Sequence, residues 1–439
     1  NHTFYKQLES NNTMTELQIP YGSQLIDIDI AGILLDLESK DRLTTPKHDV
    51  LRLALKNPID TKKLSEIVNT KNAAKIVVVI DDHTRNAPTE AMLDALTEDL
   101  NDDCNITLLV ACGTHSQPTE EDLKRMLGKH LARFDINIKI HDCDAKDLVY
   151  VGTTTRGTPV SLNKNYIEAD IKILTGDITL HYYAGFGGGR KSILPGISSR
   201  EAIQKNHALL VDNQARTANI DNNPVHLDMS EAASFAPPDI VLNAVTDATG
   251  TLVDAYAGEM NAVFLKGAAV ARDMFRVETN DLFDVLLVSA GGFPKDRNLY
   301  QALKAVENCY RVLVPGGKFI LVAECRDGIG DTYFEEWMNK YTSYEAAEEA
   351  IKTNFVLGGH KAYYMRKTLE RVRLSIVSEL DSNTLTSWGL NAYKSVPEAL
   401  NAEIGLNVMN NNNADIADTK AKIKIGILRN GLDTLLVQS

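Results

Sequence analysis

The sequence contains no C-x-x-C pair; its five cysteines, Cys104, Cys112, Cys143, Cys309 and Cys325, are scattered and odd in number. That pattern argues against a disulfide framework and against a structural zinc site, and it reads as reduced thiols. Long apolar runs are also missing. Residues 76–80 are typical of the longest, far short of the roughly 18 to 20 residues needed to cross a bilayer, so no membrane partner is expected. Residues 1–12 are polar and lack the basic-then-apolar pattern of a secretion signal, which points to a cytoplasmic protein. Finally, there is no basic run and no patch of interleaved basic and aromatic side chains. With a formal charge of −13, the chain would repel a nucleic-acid backbone, and nucleic acid is not expected as a partner.

What is present is a pattern of short β-rich runs alternating with helix-length segments, the signature of parallel sheets built from βαβ units. Strands are expected over residues 76–80, 106–111, 171–175, 240–244, 285–289 and 319–323, with helices over 89–100 and 120–127, the latter capped by Thr119. A chain of 439 residues that is 44% apolar exceeds what one core usually supports. The fold class is therefore α/β, with two α/β domains, largely parallel sheets and an active-site cleft between the domains. The boundaries expected are 1–276 with 415–439 for the first domain and 277–414 for the second. Residues 410–418, rich in Asn, read as a linker. Asn430-Gly431 reads as the turn of a hairpin returning to the first domain.

Three polar motifs each follow a strand: Asp81-Asp82-His83-Thr84-Arg85, then Gly113-Thr114-His115, then Gly176-Asp177 leading to His181. In an open parallel sheet the carboxyl ends of such strands converge near the point where strand order reverses, and ligands bind there. The third motif continues through Gly185-Phe186-Gly187-Gly188-Gly189-Arg190-Lys191 to a helix capped by Ser198 or Ser199 that carries His207. Glycines followed by Arg, Lys and a helix start suit an anionic phosphate. The G-x-G-x-x-G register fails, because Arg190 stands at the third glycine position, and no G-K-[ST] closes the loop. Taken singly, His115, His181, His207 and Lys191 are ordinary residues. Cys112 and His141 read as structural, and Asp81 and His83 as framing residues for Asp82 and Arg85.

Together, Asp82-x-x-Arg85, Gly113-Thr114-His115 and the stretch from His181 through Lys191 to His207 resemble the nickel-pincer-nucleotide lactate racemases in order and spacing. The resemblance extends to Tyr300-Gln301-Ala302-x-Lys304 and to Leu357-Gly358-x-His360-Lys361-Ala362. It implies a racemase or epimerase of a 2-hydroxy acid, lactate or a relative, acting by hydride transfer through a 2-keto acid. The implied cofactor is a Ni(II) pyridinium-3,5-bisthiocarboxylic acid mononucleotide joined covalently to Lys191, with His207 as the protein ligand to nickel. His115 and His181 would be the paired acid and base, Asp82 and Arg85 active-site residues, and Gly187, Gly188 and Gly189 the cofactor loop. Arg85, Gln301 and Lys304 would hold the substrate, with the second domain closing over it. Cofactor-biosynthesis enzymes are implied as transient partners. Tyr363, Tyr364 and Trp388 are the candidates for an aromatic wall of the substrate pocket.

Two other readings compete. His115, His181 and His207 could bind a catalytic zinc with one open position, as in a hydrolase or lyase. Residues 312–321 look like the helix-turn-strand element of S-adenosylmethionine methyltransferases, but the glycine-rich loop that would bind the methyl donor does not precede it.

Overall fold

The computed structural model describes residues 6–8, 17–28, 34–37, 49–71, 75–85, 87–100, 104–134, 137–247, 249–404 and 423–439. The chain divides into two compact units, one Leu43–Met274 and the other Asn1–Arg42 with Phe275–Ser439. Among the described residues no helix is long and apolar enough to cross a membrane.

The Leu43–Met274 unit is built on a six-stranded sheet in the order Leu252–Gly258, Ile240–Thr246, Ile171–Asp177, Lys75–Asp81, Asn105–Ala111, Ile138–Ile140. All pairings are parallel except that of the edge strand Leu252–Gly258. Strands buried on both faces must be apolar throughout, and these are: Val77, Val79 and Leu174 are as inaccessible as Val78, Ile80 and Ile173. Helix Thr89–Asp99 covers one face through Met92, Leu93 and Leu96. Helix Glu120–Leu127 starts with a capping box in which Thr119 accepts the Asp122 amide and the Asp122 carboxylate accepts the Thr119 amide.

The order of these strands fixes where a ligand can sit. The chain runs outward from Lys75–Asp81 through Asn105–Ala111 to Ile138–Ile140, then returns to the other flank at Ile171–Asp177 and Ile240–Thr246. The reversal falls between Lys75–Asp81 and Ile171–Asp177, and loops leaving two adjacent strands there diverge and leave a crevice.

The other unit holds a seven-stranded sheet in the order Lys6–Leu8, Leu34–Asp36, Ile425–Leu428, Phe283–Ser289, Leu313–Val322, Arg373–Val377, Asn391–Tyr393. It is parallel except at Lys6–Leu8. Two sequence expectations about domain membership are corrected here. The C-terminal segment does not return to the first domain, because Ile425–Leu428 pairs with Phe283–Ser289 inside this sheet. Leu435–Gln438 pairs in parallel with Arg276–Thr279 instead of folding back as a hairpin. The physical reason is that Ile425, Ile427 and Leu428 are apolar on both faces and need a central position, which a half-solvated hairpin would not supply.

The N-terminal strands also belong to this unit. Leu37 donates its amide to Ile427 O at 2.8 Å, and the Gly22 amide meets Asp296 Oδ2 at 2.6 Å. The linker expected at 410–418 lies outside the described residues.

Because Leu174 is fully buried in the central strand that borders the crevice, Leu174→Ala should cost about 2–5 kcal/mol of stability in denaturant unfolding. A loss under about 0.5 kcal/mol, the size of a surface change, would contradict this packing.

Candidate active site

Asp81 ends one strand of the crevice and Asp177 ends its neighbour, and the Asp177 amide donates to Asp81 Oδ2 at 3.2 Å. Asp177 Oδ2 accepts the Thr246 hydroxyl at 2.7 Å, while its buried Oδ1 has no hydrogen-bond partner. Burial raises both carboxyls, Asp81 to about 6 and Asp177 to about 7. For Asp177 the neighbouring Asp81 charge adds to the rise, and in both cases the Arg85 guanidinium opposes it.

Immediately beyond, Asp82 is buried and accepts His115 Nδ1 at 2.7 Å and the Thr84 amide at 2.7 Å. Burial alone would raise the Asp82 carboxyl, but the hydrogen bond and charge of His115, with Arg85 and Thr84, bring it down to about 2. A carboxylate at Nδ1 holds the proton there, so the Nε2 of neutral His115 carries the lone pair. Arg85 is exposed, yet its charge acts on Asp81, Asp82, Asp177, His181, Tyr183 and Lys191.

The glycine-rich loop folds around a buried cation. The Arg190 guanidinium donates to four carbonyls, those of Ala184, Phe186, Gly187 and Gly188, at 2.9 to 3.3 Å, and it stacks 4.0 Å from the Phe264 ring centroid. Arg190 therefore cannot serve a phosphate, contrary to the sequence expectation. Nor do all the loop amides face a ligand: Gly187 donates to Thr179 O at 2.8 Å and Gly189 to Asn243 Oδ1 at 3.0 Å. Gly188 has φ of 72°, and a Cβ there would lie 2.6 Å from the Ile178 side chain, so close packing on the sheet requires glycine.

With Arg190 turned inward, the next side chain points the other way. Lys191 Nζ lies 3.1 Å from His181 Nε2, and His181 Nδ1 accepts the Ala184 amide at 3.3 Å. The Tyr183 ring meets His181 edge-on at 4.4 Å and His207 at 5.2 Å, linking the two histidines. His207 is buried in the last turn of helix Arg200–Ala208, which Ser199 caps; Ser198 instead donates to Ile193 O. Asn206 Nδ2 donates to Val225 O and Asp228 Oδ2, which turns its Oδ1 toward His207 Nδ1 at 3.1 Å. That bond fixes the His207 proton on Nδ1 and puts the lone pair of the neutral ring on Nε2. Burial, then nearby cations led by Arg85, holds the Lys191 amine well below the usual lysine range. Burial and then Lys191 do the same to His181.

Thus Asp82, Arg85, His115, His181, Lys191 and His207 all lie in one unit, His181 in the short strand Leu180–His181, Lys191 in the 3-10 turn Gly189–Ser192, His207 on helix Arg200–Ala208 and the rest on loops that follow sheet strands. The three histidines do not form a zinc site. Among the described residues the group of possible ligand atoms lying within 4.8 Å of one another is Asp142, Cys143 and Asp144, an acidic surface cluster already engaged by Arg200. Gln301 and Lys304 sit on helix Leu299–Cys309 of the other unit, which Asn298 caps. Tyr363, Tyr364 and Trp388 are all buried. Sequence reasoning passed over Tyr183, Asn243 and the Asp81–Asp177 pair. The signal for the pair was two acids at the ends of adjoining strands.

Models of the lactate racemase N-terminal domain and the lactate racemase C-terminal domain match residues 21–218 and 278–423. The chain is 34% identical over 338 residues to the lactate racemase of Thermoanaerobacterium thermosaccharolyticum, covering 74% of this chain and 78% of that protein. It is 30% identical over 402 residues to the lactate racemase of Lactiplantibacillus plantarum, covering 88% and 94%. The solved apoprotein of the T. thermosaccharolyticum enzyme superposes with a TM-score of 0.83 at 28% identity, covering 96% of this chain and all of that one. A Thermotoga maritima protein of 17% identity, with a TM-score of 0.61, shares the fold.

The raised carboxyls make a pH prediction. Folded Asp81 and Asp177 keep protons that the unfolded chain loses near pH 4, so their ionisation subtracts stability progressively as pH rises from about 4 to about 7. Asp177→Asn should flatten that decline in urea midpoint measured across the range. An unchanged pH slope would contradict the burial of this carboxyl.

Proposed function

The chain belongs to the lactate racemase family and is a racemase, and from that premise we propose that it interconverts the enantiomers of a small 2-hydroxy acid, lactate first among them, using a nickel-pincer nucleotide tethered at Lys191. The observation that carries the reading is the Lys191 amine 3.1 Å from His181, in the unit that also holds the Asp82–His115 pair and His207.

The residues present fit such a group. A tether needs a lysine that is nucleophilic at neutral pH, and burial among cations favours the neutral amine of Lys191. A nickel ligand needs an imidazole lone pair held in place. His207 supplies one from Nε2, because Asn206 fixes the proton on the other nitrogen. Imidazole with sulfur donors suits square-planar Ni(II). When bound, the group supplies a centre that accepts and returns the hydride at the substrate's second carbon, by way of a 2-keto acid.

The chain's own residues move the protons. His115, with Asp82 holding Nδ1–H, presents a basic Nε2 to the substrate hydroxyl and becomes an imidazolium that the adjacent carboxylate stabilises. His181 serves as the acid for the opposite enantiomer in its doubly protonated form, so that giving up the Nε2 proton leaves a neutral ring. The roles exchange in the reverse direction, as a racemase requires. Arg85 is suited to a two-pronged grip on the substrate carboxylate, with Gln301 and Lys304 as further donors. Arg190 and the glycines act indirectly, by shaping the loop that aims Lys191.

Protein produced together with cofactor-synthesis enzymes tests these roles. Lys191→Ala should lack the covalent adduct in intact-mass analysis. His115→Ala should retain nickel while losing lactate racemisation by about 10²-fold or more, the size of one general acid–base contribution. An adduct persisting without Lys191, or a fully active His115→Ala enzyme, would overturn the assignment.

A further inference from the structure

Two hydrogen bonds on one ring decide where its proton sits. His181 Nδ1 accepts the Ala184 amide, so Nδ1 bears the lone pair and the proton of the neutral ring is on Nε2. That Nε2–H points at Lys191 Nζ, 3.1 Å away. An N–H needs an acceptor, and an ammonium offers three donors and no lone pair. The neutral amine is the form of Lys191 that completes the bond.

We propose that His181 has a second task besides acid–base chemistry: in the protein without cofactor its Nε2–H donates to the Lys191 amine and holds it as a neutral nucleophile, and acylation of Nζ ends this contact and releases Nε2 for the substrate. In acylation the neutral amine attacks the carbonyl or thiocarbonyl carbon of a thiocarboxylic acid group, the N–C bond forms, hydrosulfide or water leaves with the amine proton, and the nitrogen lone pair spreads into the new amide or thioamide, so the nitrogen no longer accepts the Nε2–H. The histidine cannot serve the substrate and the free amine at once. Loading and activation are therefore one event.

The surroundings support the neutral pair. His181 faces Lys191, Arg85, His207 and Arg190, all of which disfavour a proton on it after burial has done so. Lys191 faces Arg85 and Arg190, with Asp81 and Asp82 opposing them less strongly. Tyr183 packs against both, 4.4 Å from the His181 ring and 5.9 Å from Nζ. The inference rests on the proposed function for the identity of the acylating group and for the acid–base role of His181.

The test uses the full chain without cofactor. Competitive labelling with acetic anhydride over roughly pH 6 to 10 reads each lysine by peptide mass spectrometry. The amine attacks the anhydride carbonyl, the N–C bond forms, acetate leaves and a proton passes to solvent. Lys191 should acetylate with a midpoint about two pH units or more below those of exposed lysines in the same chain, as expected of a buried amine. In His181→Phe, which keeps a ring against Tyr183 but removes the donor, the midpoint should rise.

Nitrogen spectra of histidine-labelled protein should show His181 as the Nε2–H tautomer. Its Nε2 signal should move once Lys191 is acetylated, while His130, paired with Asp94, stays in place. An ordinary midpoint for Lys191, a midpoint unmoved by His181→Phe, or a His181 proton on Nδ1 would each overturn the proposal. None of these readouts needs nickel, so loss of racemisation alone would leave them standing, and a midpoint unmoved by His181→Phe would leave the tether at Lys191 standing.

Discussion

The burial of the Arg190 guanidinium is the constraint on which the site depends. A charge with almost no exposure must be compensated locally, and here four backbone carbonyls and the Phe264 ring do it. Satisfying those carbonyls closes residues 184–188 into a tight loop around the cation. The loop then has one way to continue, and Lys191 emerges on the crevice side against His181. A lysine in place of Arg190 could not reproduce this, because an ammonium lacks the planar fork that reaches several carbonyls.

Around that loop the sheet arranges charge by topology. The strand reversal between Lys75–Asp81 and Ile171–Asp177 sets Asp81 and Asp177 side by side beneath the loop and Asp82 beyond them. These acids end in opposite states for a reason visible in their partners. Asp82 has His115 and Thr84 to hold its charge, whereas Asp177 keeps one oxygen unpartnered and resists ionisation. The same contrast sets the two imidazoles proposed as the acid–base pair. A carboxylate at Nδ1 leaves His115 basic at Nε2, and a backbone amide at Nδ1 makes His181 a donor there. Identical side chains thus present opposite Nε2 groups, a lone pair and an N–H, because their neighbours differ.

Much of this was legible in the sequence, and the reasons are local. Continuous apolar runs such as residues 76–80 and 171–175 can only be doubly covered parallel strands, so the strands and the polar motifs at their ends followed directly. Thr119 marked a helix start. Inward and outward directions were not legible: Arg190 beside Lys191 reads as a pair of cations for one anion, and only packing shows that one is structural. Long-range pairing was equally hidden. The segment 425–428 looks like half a hairpin until Phe283–Ser289 is seen to need a neighbour, and the N-terminal strands carry no mark of the sheet they complete. The assignment of chemistry to His115, His181, Lys191 and His207 came from the resemblance of their motifs to a known family, and composition alone would never have singled them out.

In the proposed reaction hydrogen leaves the substrate carbon as hydride, not as a proton, and the two histidines handle the hydroxyl proton alone. Racemisation of lactate carrying deuterium at its second carbon, run in ordinary water with the loaded enzyme, tests this most directly. Retention of the label at that carbon in the newly formed enantiomer is the predicted result. Washout of the label to solvent at the rate of racemisation would mean that a side chain removes that hydrogen as a proton, and would contradict the account.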